Sequence, residues 1–224
     1  MNPPPVVVSI VIPVFNGAQY LGEAIQAALG QDHPDVEVIV VDDGSTDATA
    51  DVVATFPTVR YVRQDNSGPA AARNAGIGAS HGSFLTFCDS DDRFRPTKVS
   101  AQVRYLDAHP EVGCVLVGHH TFLEAGIELP AWEREESGTQ PQSALVRRQV
   151  IDEVGGFDPA FRFAEGIEWL GRMRAAGVGI AVLDEVHVDR RIHGGNLSYE
   201  RGDMQHHLLL ALQRRIASAR EAEA

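Results

Sequence analysis

The stretch "VVVSIVIPVF", Val6–Phe15, is a nearly continuous run of apolar, mostly β-branched residues. A run of this kind is typical of a strand that is covered on both faces, as in a parallel sheet. The next segment, "AQYLGEAIQAAL", has its apolar residues at helical spacing, and "VEVIVV", Val36–Val41, repeats the strand pattern. This order of strand, helix and strand predicts a βαβ unit at the start of the chain.

The same alternation continues through the first half of the chain. Further strands are predicted at 59–64 and 83–88, and helices at 45–56 (with Ser45 or Thr46 as a cap), 69–80 and 95–109. Such regular alternation predicts an α/β fold with a mostly parallel sheet flanked by helices. Sheets of this kind bind ligands beyond the carboxyl ends of their strands, so the residues that follow each strand are the candidate site.

The second half of the chain is less regular. Strands are predicted at 112–118, 143–148, 179–183 and 185–192, a loop at 124–142, a helix near 168–176 and a final helix at 203–220. No clear linker precedes this half, so we expect residues 1–224 to form a single domain.

Composition restricts the classes of function. The formal net charge of −12 disfavours nucleic acid as a partner, because binding phosphate backbones requires a basic surface. The two cysteines, Cys88 and Cys114, lie in apolar runs and are expected to be buried and unpaired, which fits a reducing compartment. The absence of a basic leader and of an apolar run of about 18 residues predicts a cytoplasmic protein, and leaves peripheral membrane contact open.

Acidic residues follow the second predicted strand in "VVDDGSTD". Asp, Gly and Ser are the usual residues of turns, so the simplest interpretation is a strand-to-helix turn. An acid at this place is equally suited to hydrogen-bond the base or ribose of a nucleotide, as acids do after the second strand of other α/β folds. Both interpretations apply to Asp42 and Asp43.

A denser acidic cluster, "CDSDD", follows the fourth predicted strand. In an extended segment Asp89 and Asp91 would share a face, where two carboxylates repel unless a cation or a proton lies between them. A divalent cation whose shell is completed by phosphate oxygens would relieve that repulsion. Asp92 is a candidate N-cap for the helix that begins near Pro96.

Basic residues follow the last predicted strand in "RRIHGGNLS". Arg190, Arg191 and His193 precede a pair of glycines. They form either a solvated basic loop or, in this acidic chain, a clamp for an anion such as a diphosphate.

Together these segments resemble family 2 of the glycosyltransferases. The segments that carry the resemblance stand in the family's order from Val8 to Ser198: "SIVIPVFNGAQYL", "EVIVVDDGSTD", "NSGPAAARNAGI…GSFLTFCDSDD", "VGGFDPAF" and "RIHGGNLS". The resemblance implies a Rossmann-like GT-A domain. Its parts would be a nucleotide-sugar-binding half (1–110), an acceptor-side half (111–200) and the C-terminal helix (201–224).

The resemblance also implies an inverting transfer of a sugar from a nucleoside diphosphate, commonly a uridine diphosphate, to an acceptor hydroxyl. The residues implied in donor binding are Pro13, Phe15, Asp43, Arg73, Asp89, Ser90 and Arg191. Asp91 and His193 would hold Mn²⁺ or Mg²⁺. The acceptor class (saccharide, lipid-linked, peptide or small molecule) and self-association are left open.

The expected catalytic base is missing from its usual position. Family members commonly carry Glu-Asp at the start of the helix after "GGFD", whereas this chain has Glu165 followed by Gly166. Glu165 or Glu168 is a candidate replacement, although both also suit a solvated helix start. The alternative is a weakly active or non-catalytic sugar-nucleotide-binding protein. An Asp-x-Asp phosphatase fits less well, because its nucleophile would follow the first strand.

Overall fold

The computed structural model describes residues 7–127, 140–161 and 164–196. Its strands are β1 (Val8–Val14), β2 (Val36–Asp42), β3 (Arg60–Arg63), β4 (Phe84–Phe87), β5 (Arg93–Phe94), β6 (Val112–Leu123), β7 (Ala144–Arg147) and β8 (Gly179–Ile192). Its helices are α1 (Ala18–Leu29), α2 (Thr49–Ala54), α3 (Pro69–Ala79), α4 (Lys98–Ala108), α5 (Arg148–Val154) and α6 (Glu165–Ala175). A short 3₁₀ turn, Pro141–Ser143, precedes β7.

The strands form one sheet in the order β3-β2-β1-β4-β7-β6-β8-β5. The first four strands of this order are mutually parallel, as predicted. β7 reverses the direction, because it is antiparallel to β4 and to β6, and β8 then lies parallel to β6. The fold is therefore α/β with a mostly parallel sheet, and antiparallel pairs enter only in the second half.

β1 is buried along its whole length because helices cover both faces of the sheet. Ile10 and Ile12 point into a core that includes residues of α1, α2 and α4, whereas Val11 points into a core formed with α3, α5 and α6. Close approach of α3 depends on Gly76, since a Cβ atom there would lie 2.2 Å from Val11 Cγ1. The continuous apolar pattern of the strand is the consequence of this three-layer arrangement.

Several predicted elements differ from the observed ones. The two strands predicted at 179–183 and 185–192 are a single strand, β8, and the short elements β5 and α5 were not predicted. The helix predicted near 168–176 begins earlier, at Glu165, and α2 begins only at Thr49. Ser45 does not cap α2, because its hydroxyl accepts the N–H of Asn16 instead.

Other predictions on the fold have mixed outcomes. Cys88 and Cys114 are buried and unpaired, as predicted, and burial raises the pKa of Cys114 to about 12. The helix predicted at 203–220 lies outside the described residues. Within the described ranges, no helix has the length and apolar character needed to cross a membrane.

A lysine is completely buried in the core between α4 and the sheet. The Lys98 ammonium donates to Thr86 Oγ1 and Gln102 Oε1, both at 2.8 Å, and lies 4.1 Å from the centroid of the Phe94 ring. Both hydrogen-bond partners are uncharged. A carboxylate partner would stabilise the charged form of the lysine far more than these groups do. Burial accordingly lowers the pKa of Lys98 to about 7.

We expect Lys98 to make the stability of the protein depend on pH. The unfolded chain holds the lysine proton to about pH 10, whereas the folded chain releases it near pH 7, so stability rises as the pH increases through this window. Relative to Lys98→Met, which cannot titrate, the wild type should gain about 2 kcal/mol in free energy of unfolding between about pH 7 and about pH 9. Urea unfolding of both proteins at several pH values measures this, and parallel pH curves would contradict it.

Candidate functional site

A cavity of about 830 Å³ lies at the carboxyl ends of β1, β2 and β4. Parallel strands end at the same edge of a sheet, and the loops that follow them form the wall of the cavity. Segments of the second half, from the 3₁₀ turn, the start of α6 and the end of β8, complete that wall. The predicted strand-end residues therefore share one site with residues from the C-terminal half.

Pro13, Phe15 and Asp43 all line the cavity. Phe15 is half exposed, whereas Asp43 is buried. The Asp43 carboxylate accepts hydrogen bonds from the backbone N–H groups of Ser67 and Gly68, at 2.9 and 2.8 Å. Asp43 thus also fixes the loop that leads into α3.

Asp42, the other acid of "VVDDGSTD", has a structural role. Its buried carboxylate accepts the Ser45 N–H, the Tyr61 hydroxyl and an Arg63 N–H. Burial opposes its ionisation, but the hydrogen bonds from Tyr61 and Ser45 outweigh this effect and lower the pKa of Asp42. The two interpretations of this segment therefore apply to different residues: Asp42 holds the turn and Asp43 faces the cavity.

The "DSDD" segment is a turn, not the extended strand end that was expected. The N–H of Asp92 donates to the carbonyl oxygen of Asp89 at 3.1 Å, which closes the turn around Ser90 and Asp91. Asp89, Ser90 and Asp91 nevertheless all line the cavity. The assumption of a shared strand face was wrong, and the turn is what directs both carboxylates to the same site.

Asp92 does not cap a helix, contrary to the prediction. α4 begins after Thr97 and has no side-chain cap. Asp92 is almost fully buried, where its carboxylate accepts the N–H of Arg191 at 2.9 Å and the Gln142 amide at 3.2 Å. Burial and the neighbouring carboxylates Asp91 and Asp89 raise its pKa well above the ordinary value. Asp92 therefore joins the turn to β8 and to the 3₁₀ turn.

Arg73 lies between two carboxylates at the centre of the site. Its guanidinium donates to Asp89 Oδ1 and to Glu165 Oε1, both at 2.7 Å. Arg73 is 4% exposed, and its guanidinium carbon lies 5.5 Å from the centroid of the Phe157 ring. Arg73 lines the same cavity as Asp43, and it also links the acidic turn to α6.

The two candidate bases have different surroundings. Glu165 lines the cavity together with Gly166. Burial raises the pKa of Glu165 above its ordinary value, although Arg73 acts in the opposite direction. Glu168 does not line the cavity, because its buried carboxylate accepts two hydrogen bonds from Arg172, at 2.7 and 3.0 Å. The i,i+4 pair holds Glu168 against its own helix.

The basic segment at the end of β8 has side chains both at the cavity and in the protein interior. His193 lines the cavity, and its Nε2 lies 3.1 Å from Asp91 Oδ2. Arg191 does not line it, contrary to expectation, because the side chain turns away and pairs with Glu23 at 2.7 Å. Arg190 lines the cavity instead. Alternation along a strand places adjacent residues on opposite faces, and this signal could have separated the two arginines.

Sequence reasoning missed Asn196 and Tyr20, which also line the cavity. The Asn196 amide donates to Asp91 Oδ2 at 3.0 Å. The ring centroid of Tyr20 lies 4.6 Å from that of His193. No local pattern indicates these contacts, because each joins segments that are far apart in the chain.

Asp91 and His193 together offer an oxygen and an imidazole nitrogen at the cavity wall. Within residues 7–127, 140–161 and 164–196, no three His, Cys, Asp or Glu side chains form a ready-made metal cage. Mn²⁺ or Mg²⁺ at a nucleotide site needs only one or two protein ligands, since phosphate oxygens and waters complete the shell. The donor set therefore fits a divalent cation that arrives with a diphosphate.

Comparison with known proteins identifies the family of the chain. The family model described as glycosyl transferase family 2 matches residues 9–164. An uncharacterized glycosyltransferase of Nostoc sp. is 30% identical over 84% of this chain and 66% of its own length. The succinoglycan biosynthesis protein ExoO of Rhizobium meliloti is 44% identical over 48% of this chain and 33% of its own.

Solved structures share the fold. S. aureus TarS in complex with UDP-GlcNAc superposes with a TM-score of 0.77 and 22% identity, over 92% of this chain and 65% of that one. The mannosyltransferase PcManGT of Pyrobaculum calidifontis, in complex with GDP-Man and Mn²⁺, has a TM-score of 0.74 and 20% identity, over 94% and 64% of the two chains.

The chain is shorter than the relatives it matches. It spans 17% to 66% of the length of the first four curated relatives. The family model covers well over half of this chain, and the fold is the α/β sheet that the resemblance implied. The chain belongs to family 2 of the glycosyltransferases, with the GT-A fold.

Proposed function

We propose that the chain is an inverting, metal-dependent glycosyltransferase that moves a sugar from a nucleoside diphosphate, preferably a uridine diphosphate, to an acceptor hydroxyl. The observation that carries this proposal is that one cavity joins three kinds of group. These are the proposed nucleoside wall around Asp43, the proposed cation ligands Asp91 and His193, and the largely buried carboxylate of Glu165.

Donor binding would use the residues at the strand ends. The base and ribose would lie against Pro13, Phe15 and Asp43. The diphosphate would lie at Asp91 and His193, with Arg190 on the same wall. The cation, when bound, stabilises the negative charge that develops on the leaving diphosphate. Asp91 and His193 would hold it in place, since both face the cavity.

Glu165 is the group best suited to accept the proton of the acceptor hydroxyl. It is partly exposed to the cavity, whereas Glu168 is occupied by Arg172. An inverting transfer requires the hydroxyl to attack the face of the sugar opposite to the leaving diphosphate, and a carboxylate at that face serves as base. Arg73 would hold the carboxylate in position, because it bonds Glu165 and Asp89 at the same time.

A second candidate function is the binding of a sugar nucleotide without transfer. Gly166 stands where family members commonly carry the base, and Glu165 is already paired with Arg73. If this pair persists in the complex, the donor would bind but no group would accept the proton. The free buried cysteines fit a cytoplasmic location for either function.

Substitution of the two glutamates separates these alternatives. We expect Glu165→Gln to lower kcat by about a hundredfold or more, because removal of a general base has effects of this size. Glu168→Gln is the matched control and should lower the thermal midpoint while leaving kcat near that of the wild type. Transfer to an acceptor panel and hydrolysis of the donor are measured for each protein. Unchanged turnover in Glu165→Gln would refute the assignment, and a wild type that binds but never turns over would support the binding protein.

The pH dependence of the reaction should report the same carboxylate. Because the pKa of Glu165 is raised in the folded protein, the active carboxylate form should be lost on acidification at a pH above 4.5. The acid limb of kcat/KM should lie above that value and should be absent from the residual activity of Glu165→Gln. An acid limb that persists unchanged in the variant would assign it to another group.

Donor binding should depend on a divalent cation. We expect uridine diphosphate sugars to raise the thermal midpoint in Mn²⁺ and to have little effect in EDTA, since a ligand that binds only the folded state stabilises it. Asp91→Asn should remove the effect of Mn²⁺. A panel with guanosine and adenosine diphosphate sugars tests the preference for uracil. Indifference to every nucleotide would overturn the proposed function.

A further inference from the structure

Arg191 is a buried cation behind the candidate site, and each part of its guanidinium has a partner. Nη2 pairs with Glu23 Oε2 at 2.7 Å, and Nη1 with Glu124 Oε1 at 3.5 Å. Nε donates to the backbone carbonyl of Asp91 at 3.1 Å. Two carboxylates thus balance the charge of Arg191 before any ligand enters, which makes it a poor site for a diphosphate.

Arg191 reaches His193 through an aromatic ring. The guanidinium carbon lies 4.7 Å from the centroid of the Tyr20 ring, a cation–π distance. The Tyr20 ring is also in contact with the His193 ring, with centroids 4.6 Å apart. The Tyr20 hydroxyl donates to Glu124 Oε2 at 2.9 Å, so the ring is held at its far end as well.

These contacts converge on the two residues that would hold the cation. Arg191 fixes the backbone of Asp91 directly and supports the imidazole of His193 through Tyr20. His193 precedes Gly194 and Gly195, and its ring nitrogens already have partners: the Gly195 N–H donates to Nδ1 at 3.1 Å, and Nε2 lies 3.1 Å from Asp91 Oδ2. The residues that make these contacts come from α1, from the end of β8 and from Glu124, which directly follows β6.

We propose that Arg191 and Tyr20 form a support that orients His193 and Asp91 toward the cavity, and that Arg191 is a positioning residue and not a ligand of the diphosphate. The proposal rests on the proposed function for the identity of the ligand. Its physical basis is that metal ligands are oriented by neighbouring groups, and that loss of such a group lowers metal affinity by about 10- to 100-fold.

Arg93 provides a matched control for Arg191. Its Nη1 lies 3.4 Å from Glu23 Oε2, and its guanidinium carbon lies 4.6 Å from the Phe122 ring centroid. Arg191 shares both partners, with the Phe122 ring at 4.9 Å. Arg93→Gln therefore removes a positive charge from the same glutamate and the same aromatic ring without removing the contacts to Tyr20 and Asp91.

The first experiment measures UDP affinity by calorimetry, in EDTA and in Mn²⁺, for the wild type, Arg191→Gln, Arg191→Lys and Arg93→Gln. We expect Arg191→Gln to bind UDP in EDTA with the same affinity as the wild type. The factor by which Mn²⁺ increases UDP affinity should be about tenfold smaller in this variant. Arg191→Lys should recover part of the gain, and Arg93→Gln should match the wild type throughout. Weakened UDP binding by Arg191→Gln in EDTA would overturn the proposal, because it would mean a direct contact with the diphosphate.

The second experiment needs neither metal nor nucleotide, so it separates this proposal from the proposed function. Nitrogen-15 NMR of labelled histidine follows the ring of His193, which His193→Gln assigns. In the wild type and in Arg93→Gln we expect the His193 ring to show the signals of a single tautomer. In Arg191→Gln and Tyr20→Leu we expect ring signals averaged over more than one state. Circular dichroism confirms that each variant is folded. Unchanged His193 signals in both variants would overturn the proposal even if UDP and Mn²⁺ bind as expected. Failure of UDP to bind the wild type would refute only the proposed function.

Discussion

Three aspartates lie within four positions at the end of a buried strand, and their carboxylates repel one another. The rest of the site depends on how this repulsion is relieved. Asp89 is held by Arg73, Asp91 faces His193, and Asp92 is buried against a backbone N–H of β8. Each carboxylate therefore has a partner from outside the turn, either from α3 or from the end of β8. Carboxylates this close repel, and both the partners and the raised pKa of Asp92 reduce that repulsion.

The second half of the chain, which folds back onto the first, supplies partners for two of these carboxylates. β7 reverses the sheet beside β4, and β6 and β8 then run as a long parallel pair that ends at the acidic turn. At the end of β8, Arg190 lines the cavity and Arg191 lies in the interior behind it. His193, which follows the strand, contacts Asp91. Glu165, at the start of α6, accepts a hydrogen bond from Arg73. The site is consequently built between the two halves, although the strand ends that start it belong to the first.

Two buried cations show how surroundings decide the role of a charged residue. Lys98 has only uncharged hydrogen-bond partners, and burial lowers its pKa to about 7. Arg73 is equally buried but lies between two carboxylates, and the pKa of its guanidinium is raised despite the cost of burial. The lysine thus stays within the core as a hydrogen-bond donor, whereas the arginine couples the acidic turn to the carboxylate of Glu165. Burial alone therefore does not decide the direction of the shift, because the groups around each cation differ.

The sequence by itself determined the alternation of strands and helices, the parallel first half and the edge of the sheet where a ligand would bind. These features follow from local patterns, because apolar periodicity and turn residues act over a few positions. Only the tertiary structure decided which acids and bases face the cavity. Glu165 and Glu168 are one helical turn apart, and Arg190 and Arg191 are adjacent, yet their partners come from distant segments. Strand alternation places Arg190 and Arg191 on opposite sides, but the partners that decide which side faces the cavity come from distant segments of the chain.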